Sequence, residues 1–218
     1  MLVRELMSKK LVTVDADISM MKASRLMKDN GIQHLLVLKK GRVAGIVSDR
    51  DLKETQRSKA TALDIHELYY LLDNITVGSV MPRQLFTIGP GATVGKAAAV
   101  MLKHNISALP VVNPDGGLEG IITKGDIFQA FVSISGIHHG DLALGFELED
   151  RPGSIKEVTD VIRAHGGRLA SILTGYEWAP SGFRHLYIRA RNIKDEKALQ
   201  QELGGKVKIL YFIHEKVK

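Results

Sequence analysis

The chain has 218 residues, of which 44% are hydrophobic, 25% charged and 6% aromatic, and its formal net charge is +6. That length suits one large domain or two to three small ones, with cores built mainly from aliphatic side chains. It contains no cysteine, which excludes disulfides, thiolate metal sites and thiol nucleophiles and fits a reducing cytoplasm, the expected location.

No apolar run reaches the roughly 18 residues that span a bilayer, and the first ten residues lack a signal-peptide core. No membrane association is therefore expected. The positive charge is spread out, with 17 Lys and Arg against 13 Asp and Glu over residues 1–140, and 13 against 11 over residues 141–218. Nucleic-acid binders gather such charge on one face or arm. A diffuse excess makes a nucleic acid an unexpected partner.

The chain repeats itself. Residues 5–14 (ELMSKKLVTV) match residues 79–88 (SVMPRQLFTI) at an offset of 74. At that offset GIQHLLVL at 31–38 faces NISALPVV at 105–112. After one inserted residue near Gly116, GIVSDRDL at 45–52 faces GIITKGDI at 120–127. Met7/Met81, Met27/Met101, Gly45/Gly120 and Asp51/Asp126 are among the identical pairs. So many identities in one frame indicate a duplication.

Each copy reads as strand, helix, strand, strand, helix. Residues 11–14 and 85–88 favour short strands. Ser19 and Thr93 suit helix N-caps, and the following helices carry apolar residues at helical spacing. Gly31 and Asn105 suit left-handed stops. The dense apolar runs at 34–38 and 109–112 suit buried strands. Closing helices are expected at 49–55 and 124–132. Between the copies, residues 62–73 read as a helix, with Thr61 and Asp64 at capping-box-like spacing. The recurring methionines are expected core positions.

The ends of the copies carry the chemistry. Ser48-Asp49-Arg50-Asp51 and Thr123-Lys124-Gly125-Asp126 each begin where a strand gives way to a helix. Unpaired N–H groups there favour an anion. Arg50 offers a two-pronged donor and Lys124 a point charge. A purely structural reading is also open: Ser48 and Thr123 cap the helices, and the aspartates favour their N-termini.

The repeated ending, Gly, two apolar residues, Ser or Thr, two further residues, Asp and an apolar residue, resembles that of the cystathionine-β-synthase (CBS) domain. Two copies resemble a CBS pair, or Bateman module, over about residues 1–134. The resemblance implies adenosine nucleotides, AMP, ADP, ATP or a related adenosyl compound, in clefts between the repeats. It implies that Ser48 and Thr123 donate to phosphate or ribose and that Asp51 and Asp126 accept from ribose hydroxyls. The base is expected against Val12 and Phe86, and near Gln33, His34, Ser107, Ala108 and Pro110. His34 stands where the second copy has Ala108, so the two base pockets differ. Residues 90–97 approximate a P-loop but carry Pro90 where the first glycine is needed and Ala97 where a hydroxyl must hold magnesium. Nucleotide hydrolysis is not expected there.

After residue 134 the pattern changes. Strands are expected at 142–149, 168–177, 183–191 and 206–214, and helices at 154–165 and 195–203. The order βαββαβ implies a ferredoxin-like layer. The segment Asp150-Arg151-Pro152-Gly153-Ser154 resembles the turn of ACT domains over about residues 141–215. That resemblance implies an amino-acid site at Asp150, Pro152, Gly153 and Ser154, with Ser171 and Ile172 beside it, completed in a homodimer. His138 and His139 read as linker residues.

The expected fold class is α+β: CBS repeats at 1–59 and 75–134, a linker helix at 60–74, a linker at 135–140 and an ACT-like domain at 141–218. No catalytic or metal-ligating constellation emerges. The expected function is a non-catalytic sensor acting on a partner protein, and the architecture resembles bacterial accessory proteins of acetoin utilisation. The competing expectations are a structural oligomer without ligand response and, less favoured, a nucleic-acid binder.

Overall fold

The structure is a computed structural model describing residues 1–59 and 73–215. Two compact units follow each other along the chain, Met1–Ile127 and Phe128–Lys218. The helix expected at 62–73 falls, except for Asp73, outside the described residues.

In the first unit a short helix α1 (Val3–Leu6) precedes β1 (Thr13–Asp15), α2 (Met20–Asn30), β2 (His34–Lys39), β3 (Arg42–Ser48) and α3 (Asp49–Lys59). The second copy opens with α4 (Val77–Val80) and continues with α5 (Val94–Lys103), β4 (Ala108–Val112) and β5 (Leu118–Thr123). It closes with α6 (Lys124–Ser135), whose residues from Phe128 on are counted in the second unit. The expected caps form: Ser19 Oγ accepts from Lys22 N–H at 3.3 Å, and Thr93 Oγ1 from Lys96 N–H at 3.2 Å. Each such cap contributes about 1 kcal/mol. Both expected left-handed stops form too, with φ of 62° at Gly31 and 51° at Asn105.

The copies differ at their first strand. β1 pairs in parallel with β2, helped by Leu36 N–H donating to Val12 O at 3.4 Å. In the second copy Pro110 stands where the first has Leu36. It has no N–H to donate to Phe86 O. The strand expected at 85–88 therefore shrinks to a single bridge, Ile88 to Val111.

The second unit runs β6 (Leu142–Glu149), α7 (Ser154–Ala164), β7 (Arg168–Gly175), β8 (Phe183–Arg191), α8 (Glu196–Gly204) and β9 (Lys208–His214). The sheet order is β7-β8-β6-β9, with every pair antiparallel. Two central strands flanked by the edges of a split βαβ give the ferredoxin-like arrangement. Leu142, Leu144, Phe146 and Leu148 alternate along β6 to meet Leu186, Ile188 and Ala190 of β8 and Val158, Ile162, Leu199 and Leu203 of the helices.

The two copies of the first unit exchange their leading segments. Val3 lies in the core of the second copy with Ala97, Met101, Leu109 and Ile122. Val77 lies in the core of the first with Ala23, Met27, Leu35 and Val47. Backbone bonds secure both crossings. Val3 N–H donates to Ala92 O at 2.9 Å, and Ser8 and Ile121 exchange bonds of 2.9 and 3.0 Å. Val77 N–H donates to Ile18 O at 2.9 Å, and Gly78 N–H to Ala16 O at 2.7 Å.

The recurring glycine and methionine meet across this exchange. A Cβ on Gly120 would lie 2.6 Å from Met7 Sδ, 2.9 Å from its Cγ and 3.1 Å from Ser8 O. A Cβ on Gly45 would lie 2.4 Å from Met81 Sδ but 3.4 Å from its Cγ. The far end of a methionine moves cheaply, and a backbone carbonyl does not. Gly120→Ala is therefore expected to destabilise by about 1–3 kcal/mol, and Gly45→Ala by clearly less. Urea unfolding of both variants checks this, and equal losses would contradict the packing described.

Candidate functional site

The two Ser/Thr-x-x-Asp segments fold alike. Ser48 N–H and Oγ–H both donate to Asp51 Oδ2, at 2.7 and 2.6 Å, and Asp51 N–H donates back to Ser48 Oγ at 3.3 Å. Thr123 N–H and Oγ1–H donate to Asp126 Oδ2 at 2.7 Å each, with the return bond from Asp126 N–H at 3.3 Å. This reciprocal cap explains why each helix starts there. In each cap a single carboxylate oxygen takes both bonds, which leaves Oδ1 outside the cap. Each carboxylate thus serves its cap with one oxygen and keeps the other as a possible acceptor.

Each cap faces the other copy across a cleft. The larger cleft, about 920 Å³, sets Ser48, Arg50 and Asp51 opposite Ser107, Ala108 and Lys124. The smaller, about 370 Å³, sets Thr123, Lys124 and Asp126 opposite Val12, Gln33 and His34. Both volumes lie in the range of small-molecule sites. Gln33, His34, Ser107 and Lys124 border both clefts.

The linings obey the repeat. Pro82 and Ile46 border the larger cleft where the repeat-related Ser8 and Ile121 border the smaller. The sequence reading did not name these four. Pro82 follows Ser8 by 74 residues and Ile121 follows Ile46 by 75, so either member of a pair locates the other, but no motif marks the first. Two expected base contacts lie elsewhere: Phe86 and Pro110 border neither cleft. Phe86 stacks on His104 with ring centroids 3.8 Å apart, and Pro110 is buried in β4 opposite Ile121.

Charge separates the clefts. The larger carries Asp49, Arg50, Asp51, Lys53, Glu54 and Lys124, and Lys53 is held by Asp49 at 2.5 Å. The smaller carries Lys10, Lys124 and Asp126, a small cationic excess. Between them His34 Nε2 meets Ser107 Oγ at 2.7 Å. Burial pushes the His34 imidazole below its ordinary value of 6.5, against a weaker upward pull from Asp51. Among the described residues no group of three His, Asp or Glu converges on a metal position. Nor is any helix among them long and apolar enough to cross a membrane.

In the second unit the Asp150–Ser154 turn is held by its own chain. Gly153 takes φ +89° at the start of α7. Arg184 reaches in from β8, donating to Ser154 Oγ at 3.0 Å and to Arg151 O at 3.3 Å. Its Nε is 3.5 Å from Asp150 Oδ1 and buried without a hydrogen bond. Sequence reasoning missed Arg184, because a lone arginine in a strand carries no signal. Ser171 and Ile172 are not brought to this turn. They pair with Arg189 and Ile188, respectively, about 13 Å or more along β8 from Arg184 at 3.3 Å per residue. Ser171 Oγ instead donates to Ser135 O at 2.6 Å.

The CBS domain family matches residues 3–57 and 77–133, more than half of the chain. The chain belongs to the CBS domain family. Its CBS pair is similar to that of protein MJ0100, crystallised with 5′-methylthioadenosine and S-adenosyl-L-methionine. There the identity is 27% and the TM-score 0.51, over 61% of this chain and 96% of the other. CBSX2 in complex with AMP is similar at 26% identity and TM-score 0.51, over 61% and 97%. A structure described as an acetoin utilization protein (AcuB) from Vibrio cholerae is similar at 27% identity and TM-score 0.52, over 63% and 95%. The family match ends at residue 133, short of the ferredoxin-like sheet.

The CBS-pair geometry generates a pH prediction. The folded state disfavours the His34 imidazolium, so the unfolded chain takes up this proton first as pH falls. The stability that neutral His34 contributes is present above 6.5 and is lost as pH drops below it. The stability advantage of wild type over His34→Asn is expected to shrink between about pH 7.5 and 5.5. Denaturant unfolding at several pH values measures it, and a pH-independent difference would contradict the buried neutral ring.

Proposed function

We propose that this chain is a non-catalytic regulatory protein that binds adenosine nucleotides in the clefts of its CBS pair. One observation carries the reading. Each Ser/Thr-x-x-Asp cap faces a polar cleft whose opposite wall belongs to the other copy. A ribose needs an acceptor for paired hydroxyls, and Asp51 and Asp126 each keep an oxygen outside the cap. A phosphate needs cations, and Arg50, Lys124 and Lys10 border the clefts. The likeness to CBS pairs crystallised with AMP or with adenosyl compounds supports the same ligand class. The hydroxyl protons of Ser48 and Thr123 are spent on the caps, so these two side chains are left to accept from a ligand and not to donate to it as the resemblance implied. Val12, Gln33, His34, Ser107 and Ala108 complete the proposed contacts. A ligand that prefers one arrangement of the two copies shifts the population toward it, and that difference is the signal.

For residues 141–218 we propose an ACT-like domain, on the strand order and the Asp150–Ser154 turn. Arg184 and the turn's own backbone already occupy its polar groups. Amino-acid binding at Asp150, Pro152, Gly153 and Ser154 is accordingly assigned only to a homodimer, in which a second domain supplies the missing wall. The likeness to AcuB makes acetoin utilisation the first pathway in which to look for the regulated partner.

Ligand that binds only the folded state stabilises it by about 2.7 kcal/mol at one hundred times Kd. AMP is therefore expected to raise the Tm of the wild type by several degrees. The double variant Asp51→Ala/Asp126→Ala, still folded, is expected to show no rise. A thermal-shift titration decides this. A rise of equal size in the double variant would remove these carboxylates from the site, and no rise in either protein with any adenosyl compound would overturn the reading.

A further inference from the structure

We propose that the two clefts of the CBS pair are coupled, so that a phosphate-bearing ligand in one weakens the binding of a second in the other. The inference rests on the nucleotide-binding reading above and adds to it how the two sites act on each other.

A continuous chain of bonds joins the two helix starts. Asp49 N–H, at the start of α3, donates to Gln33 O at 3.0 Å. The next residue, His34, meets Ser107 Oγ through Nε2 at 2.7 Å. Ser107 O in turn accepts from Lys124 N–H, at the start of α6, at 2.9 Å. The relay therefore runs from one helix start to the other through the wall that both clefts share, and it uses N–H groups that the sequence reading expected to be free for an anion. Neutral imidazole has one N–H and one bare nitrogen, and the serine hydroxyl rotates to suit. A ligand that fixes the hydroxyl from one side fixes the donor and acceptor pattern presented to the other.

Lys124 sets the sign. Lys124 borders both clefts, and one ammonium cannot give its full attraction to two phosphates at once. The larger cleft holds three acidic and three basic side chains, so without Lys124 its lining is net acidic. In the smaller cleft Lys124 is one of two cations. The second anion to arrive meets a lysine already engaged and a like charge across the shared wall. Coupling of this kind is reciprocal and spans roughly 5- to 150-fold in affinity. A separation near tenfold is expected.

Calorimetric titration with AMP tests the proposal on three full-length proteins: wild type, Asp51→Ala with only the smaller cleft intact, and Asp126→Ala with only the larger. Each single-cleft variant is expected to bind one AMP, and the second step of the wild type to be about tenfold weaker than either. One AMP per wild-type chain, with each variant binding one, is the limiting case of the same antagonism and supports it. Two wild-type steps that match the two variants would overturn the coupling and leave nucleotide binding intact. Binding in only one of the variants would overturn the coupling by removing one site. Absence of binding in all three proteins, at AMP concentrations up to several millimolar, would overturn nucleotide binding itself and the coupling with it. His34→Ala, which copies the residue at the equivalent position of the second repeat, and Lys124→Met complete the test. Narrowing of the two wild-type steps in either variant supports the shared wall, and an unchanged separation in both would overturn it.

Discussion

The first unit depends on a reciprocal exchange. The leading segment of each copy completes the core of the other, with Val3 among the side chains of the second copy and Val77 among those of the first. Met7 lies on Gly120 and Met81 on Gly45, so each crossing is secured by a side chain at a site without a Cβ. Neither copy has a complete core alone. The exchange thereby fixes how the copies face each other, and the clefts are the space left between those faces.

The clefts inherit this approximate symmetry and differ where it fails. The caps are nearly identical down to their bond lengths. The walls opposite are not. His34 fills a place where the second copy has only Ala108, and Pro110 removes a backbone donor that Leu36 supplies. Phe86 turns away to stack on His104. The result is one roomy cleft with balanced charge and one small cleft with a cationic excess, joined through His34 and Ser107. On the coupling proposed above, a second occupant of this shared wall reports on the first.

Much of this was legible in the sequence. The offset of 74 residues gave the duplication, the hydroxyl caps gave the helix starts, and the order of apolar runs gave βαββαβ in the last third. The Ser/Thr-x-x-Asp endings pointed to the clefts directly. The exchange was not legible, because two copies with matching patterns pair equally well within themselves or across, and only packing decides. The short first strand of the second copy depended on one missing N–H at Pro110, acting across a pairing that periodicity does not reveal. Ser171 was misplaced for a related reason: its neighbour on β8 is set by sheet register, five positions away from the arginine that holds the Asp150 turn. Arg184 itself acts by reach from a strand, and nothing in its local sequence announces that.

Hydrogen exchange with and without AMP tests the central claim most directly, that ligand binds between the copies on the two caps. The account predicts slower exchange in four segments, residues 33–34, 48–51, 107–108 and 123–126, with little change across β6, β7, β8 and β9. Protection confined to the ferredoxin-like sheet, or absent from all four segments under saturating AMP, would contradict it.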